Sequence, residues 1–346
     1  MSTQPNAGSV SHRASATQSW PSVERRPDPE QRVLVTGAAG FIGSTLVDTL
    51  LAAGHRVVGI DSFSDYYDPA CKRANIAAAR ANRRFELLAT DLIEADLDEL
   101  LDGVDTVFHL AGQPGVRASW GTSFPTYVQQ NLLVTQRLLE ALVRHPVPTV
   151  MASTSSVYGD GADGPLPEDA RLRPVSPYGM TKAAAEQLIA VYRQDQGVPV
   201  VILRYFTVFG PRQRPDMAFH RFIDALESDR PMQLYGTGDQ SRDFTYVDDV
   251  VAATVAAAGA PSAVYNIGGG NPASVNDALA ILESLTRTEA RVVRKPRARG
   301  DADRTWADTT LARHELAWRP RTSLADGLAA QVANYRETRS LDEVAV

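Results

Sequence analysis

The sequence contains a single cysteine, Cys71, among its 346 residues. One cysteine cannot form an intrachain disulfide, and no clustered cysteines and histidines suggest metal ligands, so we expect no bound metal. The net charge is -6, so the chain lacks the surplus of basic residues that nucleic-acid-binding proteins usually carry. Residues 1–30 have neither the apolar core of a signal peptide nor the length of a membrane span. These absences predict a protein of the reducing cytoplasm that binds neither nucleic acid nor membrane.

The chain does contain enough apolar sequence for a large core. Hydrophobic residues make up 44% of it, which suits one large domain or two that share a core. Residues 1–30 are rich in Ser, Thr, Gln, Pro and Arg, and we predict that they form a disordered tail.

An apolar strand, a glycine-rich turn and a helix follow one another after this tail. Residues 32–36 predict the strand and residues 44–53 the helix. Glycines between them let the backbone turn tightly and let a pyrophosphate approach the helix N-terminus, where free N–H groups and the helix dipole favour an anion. We therefore predict that a dinucleotide phosphate binds at Gly37, Gly40, Phe41, Ile42 and Gly43.

Asp61 follows the second predicted strand, residues 56–60. A carboxylate at this position can accept hydrogen bonds from both hydroxyls of an adenosine ribose, and it repels the 2′-phosphate of NADP. An aspartate at a strand end can instead cap a helix. After a glycine turn, we favour ribose binding by Asp61 and NAD as the cofactor.

Strands and helices alternate through the first half of the chain. Residues 85–89 and 106–110 predict further strands, and residues 94–101 and 123–144 predict helices. This spacing is typical of an α/β fold with a Rossmann-type, doubly wound parallel sheet. Ligands bind such sheets beyond the carboxyl ends of the strands. One crevice should therefore collect Gly37, Asp61, Asp91, Ala111 and Thr154.

Candidate catalytic side chains lie on the next predicted helix, residues 178–196. Tyr178 and Lys182 are four residues apart, which places them on one helix face, one turn apart. A cation beside a phenol lowers the phenol's pKa and prepares it for proton transfer. With eleven tyrosines and three lysines, such a pair arises by chance in roughly one such chain in ten, so it is weak alone. His109 lies within a predicted strand, where we expect a packed structural histidine.

Together these motifs resemble the extended short-chain dehydrogenase/reductases that act on nucleotide sugars. The resemblance runs from Arg32 to about Tyr335 and includes a run of hydroxyl residues at 153–156. It implies a Rossmann domain of residues 31–205, to which residues 245–265 return, and a smaller α/β nucleotide-sugar lobe of residues 206–244 and 266–340. A homodimer that pairs the helices at 123–144 and 178–196 is also implied. The implied cofactor contacts are Asp91, Leu92, Ala111, Asn131, Tyr178 and Lys182.

The substrate signals lie in the second half of the chain. Residues 203–217 resemble the start of the nucleotide-sugar lobe, and residues 236–250 resemble its phosphate-contacting loop. Arginine suits a diphosphate because its planar fork donates two parallel hydrogen bonds, which makes Arg242 the strongest phosphate candidate. Arg299 is a second candidate, with Arg297 as the alternative for that role. Further substrate contacts implied by the resemblance are Gln113, Thr207, Arg212 and Asp301.

The implied chemistry is the oxidation of a sugar hydroxyl. Tyr178, as phenolate, would take the hydroxyl proton while hydride passes from the same carbon to the nicotinamide. Lys182 would tune Tyr178 and hold the nicotinamide ribose. Thr154 would hydrogen-bond the sugar oxygen and relay the proton. The product of this step is a ketosugar.

Ser155 and Ser156 separate the branches of the family. Dehydratases carry an acid/base pair there, and UDP-glucuronate decarboxylases carry a glutamate at the position of Ser156. Neutral hydroxyls can instead hold a substrate carboxylate in place, as in the UDP-glucuronate 4-epimerases that this run resembles. Thr207 agrees with that branch, because epimerases of neutral UDP-hexoses usually have asparagine there. Arg117 and Arg214 are both candidates for the carboxylate contact.

The expected function is therefore NAD-dependent epimerisation of UDP-glucuronate at C4 with the carboxylate retained. A 4-epimerase of neutral UDP-hexoses and a UDP-glucuronate decarboxylase are the enzymatic alternatives. The alternative from another class is a scaffold that senses NAD without turnover.

Overall fold

The computed structural model describes residues 31–160, 164–261 and 263–344, so the predicted tail lies outside the described residues. The thirteen strands are β1 Arg32–Thr36, β2 Arg56–Ile60, β3 Phe85–Leu88, β4 Thr106–His109, β5 Thr149–Thr154, β6 Val200–Tyr205, β7 Thr207–Phe209, β8 Met232–Tyr235, β9 Ser241–Arg242, β10 Phe244–Tyr246, β11 Val264–Ile267, β12 Ala273–Ser274 and β13 Val292–Lys295 within these ranges. The helices are α1 Phe41–Ala52, α2 Pro69–Asn75, α3 Ala77–Arg80, α4 Leu97–Leu101, α5 Phe124–Tyr127, α6 Val134–Arg144, α7 Pro177–Gln196, α8 Ala218–Glu227, α9 Val247–Ala256, α10 Val275–Thr286, α11 Thr310–Glu315 and α12 Leu324–Val344. None of the helices in these ranges is both long and apolar enough to cross a membrane.

A seven-stranded sheet forms the centre of the fold. Its strand order is β11-β6-β5-β4-β1-β2-β3, and every pair of neighbours is parallel. The strand order reverses between β1 and β4, as in a doubly wound sheet. The predicted α/β class and the parallel Rossmann-type sheet are therefore confirmed.

Helices cover both faces of this sheet. On one face α1 and α9 pack together and contribute Leu46, Leu50 and Val250 to a core that includes Val33 and Val35 of β1. On the other face α4, α6 and α7 contribute Leu100, Leu142 and Ile189 to a second core. Burial on both faces explains why β1 is an almost continuous apolar run instead of an alternating one.

The predicted helix at 123–144 is wrong in one respect, because it is not one regular helix. It consists of α5, a π-helical turn at Val128–Leu133, and α6. Turns of this kind are frequent at functional sites. Here the turn contains Asn131, which is buried and bonds to Gln113 and Thr181.

The second half of the chain adds a smaller set of elements around a separate core. In it α8, α10 and α12 pack together through Phe222, Leu282 and Leu328. Two short parallel pairs, β7 with β10 and β8 with β13, and one antiparallel pair, β9 with β12, accompany these helices. Between them α9 and β11 return the chain to the central sheet. The residue boundaries of the two units stay a prediction.

Candidate active site

A cleft opens at the carboxyl ends of the central strands, as the topology requires. Four of the five residues predicted to meet there line its wall: Gly37, Asp61, Asp91 and Ala111. At the end of β5 the wall is formed by Ala152 and Ser153, and Thr154 lies one residue further on. Among the described residues, the wall also contains Gly40, Phe41, Ile42, Gly43, Leu92, Gln113, Tyr178 and Lys182 of the predicted site.

The glycine turn is shaped to admit a ligand's phosphates. Gly37 has a φ of 69°, and a Cβ atom there would lie 2.9 Å from the backbone N of Ala111. A Cβ on Gly43 would collide with the carbonyl oxygen of Gly37. No side chain caps the N-terminus of α1, which begins at Phe41 just after Gly40. Because backbone N–H groups at such an end favour anions, the turn fits a pyrophosphate.

Asp61 has a partner that the sequence did not indicate. Its Oδ1 accepts hydrogen bonds from Lys72 Nζ at 2.8 Å and from the backbone N of Phe63 at 2.9 Å. Its Oδ2 accepts from the backbone N of Ala39 at 3.1 Å. An ionised carboxylate has about four acceptor positions, so roughly one remains for a ribose hydroxyl instead of the two expected. Lys72 supplies a buried positive charge in the same part of the cleft.

Tyr178 and Lys182 lie on one face of α7 at the wall of the cleft, as predicted. Burial raises the pKa of the Tyr178 phenol, while a hydrogen bond with Thr154 and the positive charge of Arg214 lower it. Burial lowers the pKa of the Lys182 ammonium to about 8, and the charge of Glu186 opposes that shift. Lys182 donates a 2.8 Å hydrogen bond to the carbonyl oxygen of Ala152. Its expected effect on Tyr178 stays a prediction.

His109 is a structural residue, in agreement with its position in a strand. Its side chain is buried, and its Nδ1 lies 2.9 Å from Thr36 Oγ1. Thr36 Oγ1 accepts from the backbone N of Ala111, so its own hydroxyl proton is free to be donated to the imidazole. Burial and the nearby charge of Lys182 lower the His109 pKa to about 3. The ring is therefore neutral near pH 7.

Asn131 was predicted to contact the cofactor, but the structure places it behind the wall of the cleft. Its Oδ1 accepts from the backbone N of Gln113 at 2.8 Å, and its Nδ2 donates to the carbonyl oxygen of Gln113 and to Thr181 Oγ1, each at 3.1 Å. Its amide thus anchors the loop after β4 to α7. Gly112 is required beside it, because a Cβ there would lie 2.8 Å from Asn131 Oδ1.

The hydroxyl run forms a short turn at the end of β5. Thr154 Oγ1 accepts from the backbone N of Ser156 at 3.1 Å and lies 3.2 Å from Ser156 Oγ. Ser155 is buried, and Ser156 is half-buried. Thr207, on β7, is half-buried, and its backbone N donates to the carbonyl oxygen of Asp243. Among the members of the run, Ser153 lines the cleft wall, Thr154 is hydrogen-bonded to Tyr178, and Ser155 and Ser156 lie outside that wall.

The two candidates for a carboxylate contact lie in different surroundings. Arg214 is part of the cleft wall, together with Tyr178. Arg117 is outside the wall of this cleft: it pairs with Asp301 at 2.7 Å, and its guanidinium lies 4.1 Å from the ring centroid of Tyr235.

Arg212, a third arginine predicted to contact the substrate, does not line the cleft. It pairs with Asp48 of α1 at 2.7 Å, and its backbone N donates to Asn334 of α12. Its predicted substrate contact finds no support in this arrangement.

A second cavity lies between the 235–241 loop and the 297–304 segment. Asp301 and Arg297 line it, whereas Arg299 is exposed outside its wall, so the geometry favours Arg297 over Arg299. Arg242 binds the edge of the same segment, with Nη2 donating to the carbonyl oxygen of Ala302 at 2.6 Å and Nη1 to that of Asp303 at 3.3 Å. In this arrangement Arg242 holds the segment that borders the cavity.

Residues 33–268 match the NAD dependent epimerase/dehydratase family. The chain belongs to this family. A structure of UDP-glucuronic acid 4-epimerase from Bacillus cereus, in complex with UDP-glucuronic acid and NAD, has a TM-score of 0.86 and 44% sequence identity, covering 89% of this chain and 100% of that one. A UDP-glucuronate 4-epimerase of Thermodesulfobacterium geofontis is 37% identical over 315 residues, which are 89% of this chain and 97% of the relative. An uncharacterised UDP-glucose epimerase of Bacillus subtilis is 46% identical over 307 residues, 87% of this chain and 97% of the relative.

The epimerase-family chain has a cleft that fits NAD. The glycine turn leaves space for a pyrophosphate where a Cβ would not fit, and Asp61 keeps acceptor capacity beyond its internal partners. Asp91 adds a negative charge to the same wall, whereas Lys72 balances the charge of Asp61.

Proposed function

We propose that this protein is a UDP-glucuronate 4-epimerase that interconverts UDP-glucuronate and UDP-galacturonate with NAD bound. The observation that carries the proposal is the position of Arg214. Among the described residues in the wall of the main cleft it is the only arginine, and its charge acts on the Tyr178 phenol. A cation beside the catalytic tyrosine suits a sugar that carries a carboxylate.

In the proposed reaction, Tyr178 removes the proton from the C4 hydroxyl of the sugar. Thr154, hydrogen-bonded to Tyr178, shares that proton and lowers the phenol's pKa. Lys182, buried on the same helix face, is proposed to favour the phenolate against the burial that raises the phenol's pKa. NAD, held by the glycine turn and Asp61, would supply the hydride acceptor and, in its reduced form, the hydride donor.

Retention of the carboxylate follows from the neutral groups at the end of β5. Oxidation at C4 makes a β-keto acid, which loses carbon dioxide readily. A negative group beside the carboxylate would help to expel it, whereas hydroxyl donors hold it in place. Ser155 and Ser156 occupy that turn, and Arg214 provides the opposing positive charge.

The second candidate is a 4-epimerase of neutral UDP-hexoses. It is favoured by the name of the Bacillus subtilis relative, which is 46% identical. Arg214 argues against it, because the N–H groups that its pair with Asp216 leaves free would find no carboxylate on a neutral sugar. The two candidates differ in the substrate that the enzyme turns over.

The test is to incubate the purified protein with UDP-glucuronate or UDP-glucose, without added cofactor, and to follow the products by NMR. The proposal expects UDP-galacturonate from the first substrate and little turnover of the second. UDP-xylose as the main product would refute epimerisation with the carboxylate retained. Faster turnover of UDP-glucose would favour the second candidate.

The proposed assembly is a homodimer that buries one face of α6 and α7. Met180 and Val191 are 57% and 60% exposed and lie three turns apart on α7, and Leu133, just before α6, is 47% exposed. A group of exposed apolar side chains on adjacent helices is typical of a protein interface. A nucleotide-sugar substrate and the presence of only one cysteine in the sequence favour the cytoplasm as the compartment.

A further inference from the structure

Arg214 is already paired inside the protein. Its Nε lies 2.9 Å from Asp216 Oδ1, and its Nη2 lies 3.0 Å from Asp216 Oδ2. This is a side-on ion pair in which both carboxylate oxygens are used. A substrate carboxylate that approaches Arg214 therefore meets a guanidinium whose charge has a partner.

Tyr66, which also lines the cleft, contacts this pair. Its hydroxyl donates to Asp216 Oδ2 at 3.4 Å, and its ring centroid lies 5.9 Å from the Arg214 guanidinium. Tyr66 belongs to the connection between β2 and α2, which also carries Asp61, and its hydroxyl packs against Gly115.

We propose that Asp216 is a positioning residue that limits how tightly Arg214 holds the substrate carboxylate, so that the ketosugar can release it and turn. This inference rests on the proposed function. In this role Asp216 affects both the affinity for the substrate and the turnover rate, in addition to orienting Arg214.

The geometry of the guanidinium supports this role. Of its five N–H groups, Nε–H and one Nη2–H point to Asp216, which leaves three for a ligand. The substrate can therefore still bind through the free edge. Asp216 balances the positive charge of Arg214. The substrate carboxylate is therefore attracted less strongly than it would be by an unpaired guanidinium.

A weaker contact suits epimerisation because the two faces of C4 must both reach the same hydride carrier. The ring has to leave one orientation and adopt another before hydride returns. A tight two-point bond from an unpaired arginine would stabilise one orientation at the expense of the other. Such binding lowers KM without raising kcat.

The variant that tests the proposal is Asp216→Asn, which keeps the shape and removes the charge. Binding is measured by calorimetry in a Tyr178→Phe background, so that turnover does not interfere. Relative to Tyr178→Phe alone, the double variant should bind UDP-glucuronate about tenfold more tightly, the effect expected for one charge-assisted hydrogen bond, and bind UDP-glucose unchanged. With Tyr178 intact, Asp216→Asn should lower kcat for UDP-glucuronate.

Two further variants make the test independent of folding. Asp216→Ser, a second neutral side chain, should reproduce the tighter binding, and Asp216→Glu, which restores the charge, should return the affinity to within about twofold of the parent. Asp98→Asn, which removes the exposed partner of Arg144, is the matched control and should change neither substrate's affinity.

Weaker binding of UDP-glucuronate in the neutral variants would overturn the inference, since Asp216 would then only hold Arg214 in place. Equal changes for the charged and the neutral substrate would overturn it too. An unmodified enzyme that fails to epimerise UDP-glucuronate would refute the proposed function itself. Normal epimerisation by the unmodified enzyme, with no effect of Asp216→Asn, would refute the inference alone.

Discussion

Replacing Glu186 by glutamine tests the buried ion pair beneath the catalytic end of the sheet. Glu186 lies on α7 one turn beyond Lys182, and Arg204 lies on β6; their side chains are 3% and 6% exposed. Arg204 Nη2 lies 2.6 Å from Glu186 Oε2, and Nε lies 3.1 Å from each carboxylate oxygen. Ser153, the residue before Thr154, donates a hydrogen bond to the same carboxylate. The pair therefore connects α7, β5 and β6 behind the cleft.

The cost of the substitution follows from burial of the remaining charge. Removing one partner of a buried ion pair costs about 3–5 kcal/mol, because the other charge stays buried without compensation. Arg204 keeps two donors satisfied, by Tyr158 Oη at 2.7 Å and by the carbonyl oxygen of Glu168 at 2.8 Å. Glutamine also keeps one acceptor oxygen. We therefore expect a loss near the lower end, about 3 kcal/mol.

Urea unfolding followed by circular dichroism measures this loss as a lower midpoint at an unchanged slope. Combining Glu186→Gln with Arg204→Met should recover part of the stability, because the second change removes the uncompensated charge. Asp98→Asn, which breaks the exposed pair with Arg144, should cost less than about 1 kcal/mol. A Glu186→Gln variant within about 1 kcal/mol of the unmodified protein would refute the reasoning.

Three other predictions concern the site, the pH dependence and the assembly. Tyr178→Phe should abolish turnover while the amount of NAD released on denaturation stays the same; an active variant would contradict its role as the base. Burial raises the pKa of the Asp243 carboxyl from 3.8 to about 6, so its contribution to stability is complete below 3.8 and is lost as the pH rises through about 6. The stability advantage of the unmodified protein over Asp243→Asn, measured by urea unfolding, should therefore shrink from pH 4 to 7, and a constant difference would exclude this assignment. Met180→Glu places a charge in the proposed dimer face and should give monomers by light scattering, whereas an intact dimer would place the interface elsewhere.

Local patterns predicted the parts of the site that depend on neighbouring residues. Gly37 and Asp61 follow strands whose apolar runs are clear, and the carboxyl ends of parallel strands meet by topology alone. Tyr178 and Lys182 share the cleft wall because helical spacing places them on one face of α7. The regular helix predicted across residues 128–133 was wrong because the π-helical turn there depends on a distant contact. Asn131 bonds to Gln113 in another loop, and the pattern of residues within the helix contains no information about that loop.

Arginine assignments show most clearly where sequence patterns stop. Arg117, Arg212 and Arg214 belong to motifs of the same family, yet each pairs with a different carboxylate, and the partner of Arg117 lies 184 residues away in the sequence. A pairing across such a separation depends on the packing of the loops.

For function, a sequence motif can identify an arginine, but it does not show how strongly that arginine can attract a ligand. A guanidinium in a side-on pair with a nearby acid has N–H groups left for a ligand but attracts an anion less strongly than an unpaired guanidinium does. In the proposed function, substrate selection at this site depends on pairs of residues. Arg214 is in the cleft and can bind an anion, but Asp216, two residues further along the chain, decides how strongly the anion is held. A search for uronate specificity should accordingly compare the acids beside the arginine as well as the arginine itself.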